Sequence, residues 1–494
     1  MNTLWKKRST NKSIQNKIHG RQRTVPKLAL HFRFFRISVI YFIISGVMGI
    51  LFSIPQVEPF THKSAIAAGH IIFVFFGWVT MTIMGVMSKM VPTMLGKDLH
   101  SEQWGEVTFW LMNIGILGYS ILLILEGVAE RVYHLVLPAF TTNLEFLLAL
   151  FIVAGGFSFA YNFYKTVGLR TAKVAEPSIG LSLKFFRMSI AYFLASIVIA
   201  AFSILGYTDA VFFGLSFARV LWVAPFTTLG WMTLTIMGAM YHLLPMFTIS
   251  RVPNFKLANA QFYALNIGTV LTGVAGLLGA KRIILEGVEV NLLSVLQTVG
   301  VVAAGIGSAL FVYIMAWIVL SRKRKELNIS VKFYLVALFY FTLTGLFGVV
   351  LKTQQGYDFS EGTKIILGHG LLSVIGFVSL TIMGSIYSII PMLAVVDLHA
   401  RKKKVPSILT EMYNERLSRL SFWLSSVGVG GYITGLVGEG YVTATLTQQG
   451  ASLAQLDAST FPFTLLSIAF VLVLGAGVLL FAYNVQKMYG WLKD

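Results

Sequence analysis

The chain has 494 residues, of which 56% are hydrophobic and 12% charged, with a mean hydropathy of +0.76. Ordinary soluble domains carry charge on about a quarter of their residues, so that class is excluded and a polytopic membrane protein is predicted. The absence of cysteine excludes disulfides, thiolate metal sites, iron–sulfur ligation and thioether attachment of haem. The net charge of +19 lies in short loops between apolar runs, so membrane topology accounts for it and no nucleic-acid partner is expected.

Residues 1–30 hold Lys6, Lys7, Arg8, Lys12, Lys17, Arg21, Arg23 and Lys27 and no acid. No apolar core with a small-residue cleavage site precedes the first long apolar run, so this stretch is predicted to be a basic cytoplasmic tail beside anionic lipid rather than a cleaved signal. Crossing about 30 Å of hydrocarbon takes about twenty helical residues. Runs of that kind fall near 34–55, 65–92, 104–126, 138–165, 183–206, 211–245, 257–280, 291–320, 332–351, 362–391, 418–440 and 460–485. Helices are expected throughout, because a spanning segment must satisfy its own backbone hydrogen bonds. The fold class is therefore all-α integral membrane, with twelve transmembrane helices in one domain over residues 31–494.

The loops after the fourth, eighth and tenth spans are rich in basic residues: Lys165, Arg170, Lys173, Lys184 and Arg187; Arg322 to Lys325 and Lys332; Arg401 to Lys404, Arg416 and Arg419. The opposite loops are poor in them, which predicts that both termini are cytoplasmic.

Three stretches repeat one motif. Gly77-Trp78 runs through Thr82, Met84 and Gly85 to Pro92; Gly230-Trp231 through Thr235, Met237 and Gly238 to Pro245; Gly376-Phe377 through Thr381, Met383 and Gly384 to Pro391. Spacing from the first Gly to the second and to the Pro is identical in all three. The first, fifth and ninth spans begin alike, at Arg33-Phe34-Phe35-Arg36, Lys184-Phe185-Phe186-Arg187 and Lys332-Phe333-Tyr334, and reach Tyr41, Tyr192 and Tyr340. Asn113-Ile114-Gly115 returns as Asn266-Ile267-Gly268, and Phe159-Ala160-Tyr161-Asn162 as Phe481-Ala482-Tyr483-Asn484. Three parallel units of four helices, about 31–165, 183–320 and 331–485, related by a pseudo-threefold axis along the membrane normal, are predicted.

Two units carry a histidine seven residues before the first Gly, His70 and His369; the middle unit has Val223. Each lies 22 residues before its proline, which at 1.5 Å per residue puts both at one depth in the outer half of the bilayer. An intramembrane histidine is costly and signals function. Axial ligation of haem iron, interhelical hydrogen bonding and another metal are the readings open to the pair. His242, near the inner end of its span, is expected to be simply hydrated. Met81, Met84, Met87, Met90 and Met94 are expected to pack rather than bind a soft metal, because Met84, Met237 and Met383 recur at one repeat position. The glycines should permit close helix approach. Glu145, and Glu126 and Glu286 in the two Ile-Leu-Glu-Gly-Val stretches, are expected on a solvated outer rim. Lys89 should snorkel to the cytoplasmic face.

The helix count, the histidines on spans two and ten, and Gly-Trp-x-Thr-x-Thr-Ile-Met-Gly with a proline beyond it resemble subunit I of the haem-copper oxidase superfamily. The cbb3-type cytochrome c oxidases and nitric oxide reductases are the most similar groups, and the resemblance covers residues 30–490. It implies a respiratory membrane protein of a bacterial or archaeal plasma membrane, working beside another subunit or electron donor in electron transfer or oxygen or nitric oxide chemistry. It also implies at least one b-type haem with His70 and His369 as ligands to the haem iron. The family's His-x-His on helix ten reads His369-Gly370-Leu371 here, so one ligand remains, either the high-spin one by position or the low-spin one by its match to His70. One haem between the two is expected.

The family's histidine on helix six and its pair near helix seven have no counterparts: the outer half of span six offers Val223, Ala224 and Pro225, and residues 257–280 hold no histidine. Copper B or non-haem iron is therefore expected to be absent, and no catalytic residue is assigned. The arginine pair for the haem propionates is missing too, with Arg219, Lys281, Arg282 or Lys364 as the substitutes at hand. A haem-free transporter or assembly protein on the same scaffold is the alternative.

Overall fold

The computed structural model describes residues 28–57, 65–138, 140–168, 176–204, 225–278, 282–285, 288–351 and 363–493, together with Phe359. Helices dominate: α1 Leu30–Phe52, α2 Ala65–Leu95, α3 Glu102–Tyr133, α4 Phe140–Val167, α5 Pro177–Ile204, α6 226–248, α7 Phe255–Leu278, α8 Leu292–Leu320, α9 Ile329–Leu351, α10 Lys364–Ala400, α11 Glu415–Gln448 and α12 Leu453–Lys493. Among the described residues ten helices are long and apolar enough to cross a membrane; α6 and α7 are not among the ten. The chain is an integral membrane protein. A two-stranded antiparallel hairpin, β1 Arg282–Leu285 and β2 Val288–Asn291, precedes α8.

Helix starts follow capping chemistry. Ser101 accepts from Trp104 N, Thr363 from Ile365 N, and Asn414 from Arg416 N and Leu417 N, each satisfying a first-turn amide that the helix leaves without a partner. Gly96, with φ 59°, ends α2.

The repeated motif takes a shared and unusual shape. Phe73–Thr80 in α2, Phe226–Thr233 in α6 and Leu372–Ser379 in α10 are π-helical, eight residues each, and every one begins four residues before the first Gly of the motif. The wider i→i+5 turn is rare and recurs at functional positions. Trp78 Nε1 donates to Ser379 Oγ (3.1 Å), and Trp231 Nε1 donates to Thr80 Oγ1 (2.9 Å). The first two motifs thus each hand an indole N–H to a hydroxyl two places further along another motif. In the third motif Phe377 replaces the indole, and the donor is lost.

The glycines do allow close approach. A Cβ on Gly77 would lie 2.7 Å from Tyr41, one on Gly230 2.5 Å from Tyr192, and one on Gly376 2.9 Å from Tyr340. The second glycines, Gly85, Gly238 and Gly384, meet Phe34, Phe185 and Phe333 in the same way. Met84, Met237 and Met383 are fully buried in the core, as flexible packing side chains would be.

The other repeated residues tie helices within a unit. Tyr41 OH donates to Asn113 Oδ1 (2.8 Å) and Tyr192 OH to Asn266 Oδ1 (3.0 Å), joining α1 to α3 and α5 to α7; Tyr340 OH instead reaches the Ser426 carbonyl (2.7 Å) on α11. Asn162 accepts from Ser101 N and donates to Ser101 O, and Asn484 does the same with Asn414. The recurring Phe-Ala-Tyr-Asn therefore fastens the start of one helix to the end of the next. At this register in α8, Phe311-Val312-Tyr313-Ile314, an isoleucine takes the place of the asparagine.

The two Ile-Leu-Glu-Gly-Val stretches are not equivalent in the structure. The first lies inside α3, whereas the second spans the β1–β2 hairpin, with Glu286 outside the described residues. The packing partner of Gly127, which meets Ile66 at the start of α2, is matched by Gly440, which meets Ile365 at the start of α10. The counterpart of Glu126 in the third unit is therefore Glu439.

Candidate functional site

His70 and His369 occupy the same local setting on α2 and α10. Each stands three residues before its π-helical segment, in the last turn of a short α-helical stretch: Ala65–Ile72 for the first and Lys364–Leu371 for the second. Each ring leans on a glycine of the preceding helix. A Cβ built on Gly49 of α1 would lie 3.9 Å from His70 Cε1, and one on Gly348 of α9 would lie 3.3 Å from His369 Cε1. An aromatic ring borders each imidazole: Phe52 edge-on to His70 with centroids 5.2 Å apart, and Phe347 stacked near His369 at 6.3 Å.

The surroundings of the two histidines meet in one apolar patch. Ile50, next to Gly49, and Leu371, two residues after His369, pack with Tyr432 and Leu436 of α11 and with Phe470 and Val471 of α12. Ser53 Oγ lies 3.2 Å from Tyr432 OH and ties the outer end of α1 to α11.

His70 Nδ1 is buried and has no hydrogen-bond partner among the described residues. A buried polar nitrogen left without a partner costs about 1–3 kcal/mol, so hydrogen bonding between helices gives no account of this atom. Two histidines in matched settings, each with an aromatic ring beside it and a glycine behind it, are the residues that could ligate a haem iron.

Other candidates resolve differently. Lys364 Nζ is bound to Glu439 Oε1 at 2.6 Å, so this proposed propionate partner is already engaged. Arg282 lies in β1, opposite Asn291. Arg219, Lys281, Val223 and Ala224 lie outside the described residues. Glu145 is buried, not on a solvated rim, and lies near Glu126 of α3. The rim expectation failed because Glu145 faces the neighbouring helix rather than the loop, a choice that helix rotation makes and composition does not. His242 is half-buried near the inner end of α6. Among the described residues, no group of three or more His, Cys, Asp or Glu side chains comes together to hold a metal ion.

The glycines behind the histidines and the Glu439–Lys364 pair escaped the sequence reading. The signal was present: Gly49 and Gly348 each follow the repeated tyrosine, Tyr41 or Tyr340, by eight residues.

Comparison with known proteins matches the family described as cytochrome c and quinol oxidase polypeptide I at residues 21–142 and 290–473, more than half of the chain. The unmatched stretch between them contains α5 to α7. A nitric oxide reductase subunit of Stutzerimonas stutzeri is 28% identical over 122 residues, covering 23% of this chain and 25% of that protein. The cbb3-type cytochrome c oxidase subunit CcoN1 of the same organism is 27% identical over 161 residues, 29% of this chain and 34% of that protein. The matched stretches thus span no more than about a third of these relatives. A heme-copper terminal oxidase dimer solved by cryo-EM superposes with a TM-score of 0.67 at 14% identity, over 94% of this chain and 84% of that one, which speaks for the fold alone.

Proposed function

Because the chain belongs to the cytochrome c and quinol oxidase polypeptide I family, we propose that it is a respiratory haem protein holding one b-type haem through His70 and His369. Copper B and non-haem iron would be missing. The observation that carries this reading is the matched setting of the two histidines, each one turn ahead of a π-helical segment with a glycine of the preceding helix behind its ring. A bound haem would supply one-electron transfer, or a site for a diatomic gas if one axial position is open. The protein's own part is to hold both imidazoles in place, and Phe52, Phe347 and the two glycines restrict the rings.

The same reading takes α1 to α12 as twelve spans in three units of four, with both termini cytoplasmic and a second respiratory subunit or electron donor alongside. Support comes from the three π-helical segments at one motif position and from the two tryptophan hydrogen bonds that link the motifs in sequence.

The test is a reduced-minus-oxidised spectrum of the purified protein with metal analysis. A Soret band is expected in the wild type, lost in His70→Ala and His369→Ala, with iron near one per chain and copper well below it. No band in the wild type sinks the haem reading and leaves the haem-free transporter or assembly protein. Loss in one variant only indicates a five-coordinate haem, and copper at one per chain together with oxygen turnover overturns the missing-metal statement.

A further inference from the structure

The helix that precedes each motif helix presents a stripe of side chains to it, and the three stripes end differently. In α5 the stripe runs Ile190, Phe193, Ile197, Ala200; in α1 it runs Val39, Phe42, Gly46, Gly49; in α9 it runs Leu338, Phe341, Gly345, Gly348. The spacing of three, four and three residues is the same in each and follows one face of a helix. All three stripes face the motif: Phe42 stacks on Trp78 (4.1 Å), Phe193 on Trp231 (4.5 Å), and Phe341 lies against Phe377 (4.3 Å).

Beyond these rings the middle stripe is filled. Ile197 is only 3% exposed, and its Cδ1 lies where a Cβ on Gly156 would be, 2.5 Å away. On α1 and α9 the same position is open: a Cβ built on half-buried Gly46 or on exposed Gly345 meets nothing within 4 Å. The motif glycines of this bundle show the opposite, with contacts below 3 Å. An open position on a stripe whose rings face the motif leaves room for an occupant beside the histidine. Both open positions lie one turn from a histidine-backing glycine, whereas the matching position of the middle stripe, Ile197, is filled.

We propose that Gly46 and Gly345 are the slot residues of the haem site, holding space open on α1 and α9 so that the macrocycle can reach the imidazoles of His70 and His369. This rests on the haem reading above and adds that haem capacity is set by two missing side chains as well as by two ligands. A leucine at either position would fill the volume without touching a ligand, and overpacking of this kind is strongly resisted.

The experiment purifies full-length Gly46→Leu, Gly345→Leu and, as a control away from these positions, Gly180→Leu, whose Cβ also meets nothing within 4 Å. Haem per chain is measured by pyridine haemochrome, and thermal unfolding is measured on protein from haem-deficient cells. Haem content is expected to fall about tenfold or more in the first two variants and to stay at the wild-type level in Gly180→Leu, while the haem-free melting curves coincide. Wild-type haem content in Gly46→Leu and Gly345→Leu, with the wild type itself loaded, overturns the slot and leaves the ligands standing; an unloaded wild type overturns the haem reading first. If a leucine variant is not monodisperse, Gly46→Ala and Gly345→Ala decide: weakened haem retention supports the slot, and full retention overturns it.

Discussion

At the scale of the residue, glycine does three distinct jobs on one scaffold. Gly96 adopts a left-handed conformation to end α2. Gly77, Gly230 and Gly376 let an aromatic ring reach the motif backbone, and Gly46 and Gly345 face space that no side chain fills. Only the second job is steric in the ordinary sense, so Gly77→Ala, whose methyl would lie 2.7 Å from Tyr41, is expected to lower stability by about 1–3 kcal/mol. Gly180→Ala should be neutral by the same measurement, thermal unfolding in detergent. These roles were indistinguishable in the sequence, where each is a Gly in an apolar run. The histidines were legible because an ionisable side chain in hydrocarbon stands out against its neighbours.

At the scale of the element, residues that recur in the sequence make matching hydrogen bonds. Asn484 joins the end of α12 to the first turn of α11 through a reciprocal pair with Asn414, and Asn162 joins α4 to α3 in the same way. Asn484→Ala removes both bonds and leaves the Asn414 amide without that partner. A loss of about 1–3 kcal/mol is expected, seen as a lower melting temperature and faster hydrogen exchange over residues 414–417. Ile314 at the matching place in α8 shows that the joint is dispensable in one unit. The π-helical segments could not be read from the sequence. Their composition is that of any apolar helix, and nothing local in it marks the i→i+5 pairing.

At the scale of the whole molecule, charge bears on the orientation and the bundle sets the site. By the positive-inside rule, the basic loops after α4, α8 and α10 predict both chain ends on the cytoplasmic side. The chain contains no cysteine, so single introduced thiols report topology without background. Lys403→Cys should react with an impermeant maleimide only from the cytoplasmic side, and Val136→Cys, at a position 95% exposed beyond α3, only from the outside. The opposite labelling would invert the topology. The family match, which leaves out residues 143–289, falls around the unit with Val223, so divergence is concentrated in the part of the bundle without a motif histidine.

The membrane class, the places of most helices, the internal repeat and the two candidate ligands all follow from hydropathy, charge and spacing. Those are one-dimensional signals that any helix in a bilayer must obey, so they need no knowledge of neighbours. Which carboxylates pair, which glycines pack and which stand over open space, and how the three motifs grip one another depend on helix rotation and depth. Identical sequence fragments separate on that ground: Glu126 lies on a helix beside Glu145, while the second Ile-Leu-Glu-Gly-Val stretch forms part of a hairpin. The open space beside Gly46 and Gly345 belongs to the same class, because what a position faces is decided only once the helices have been brought together.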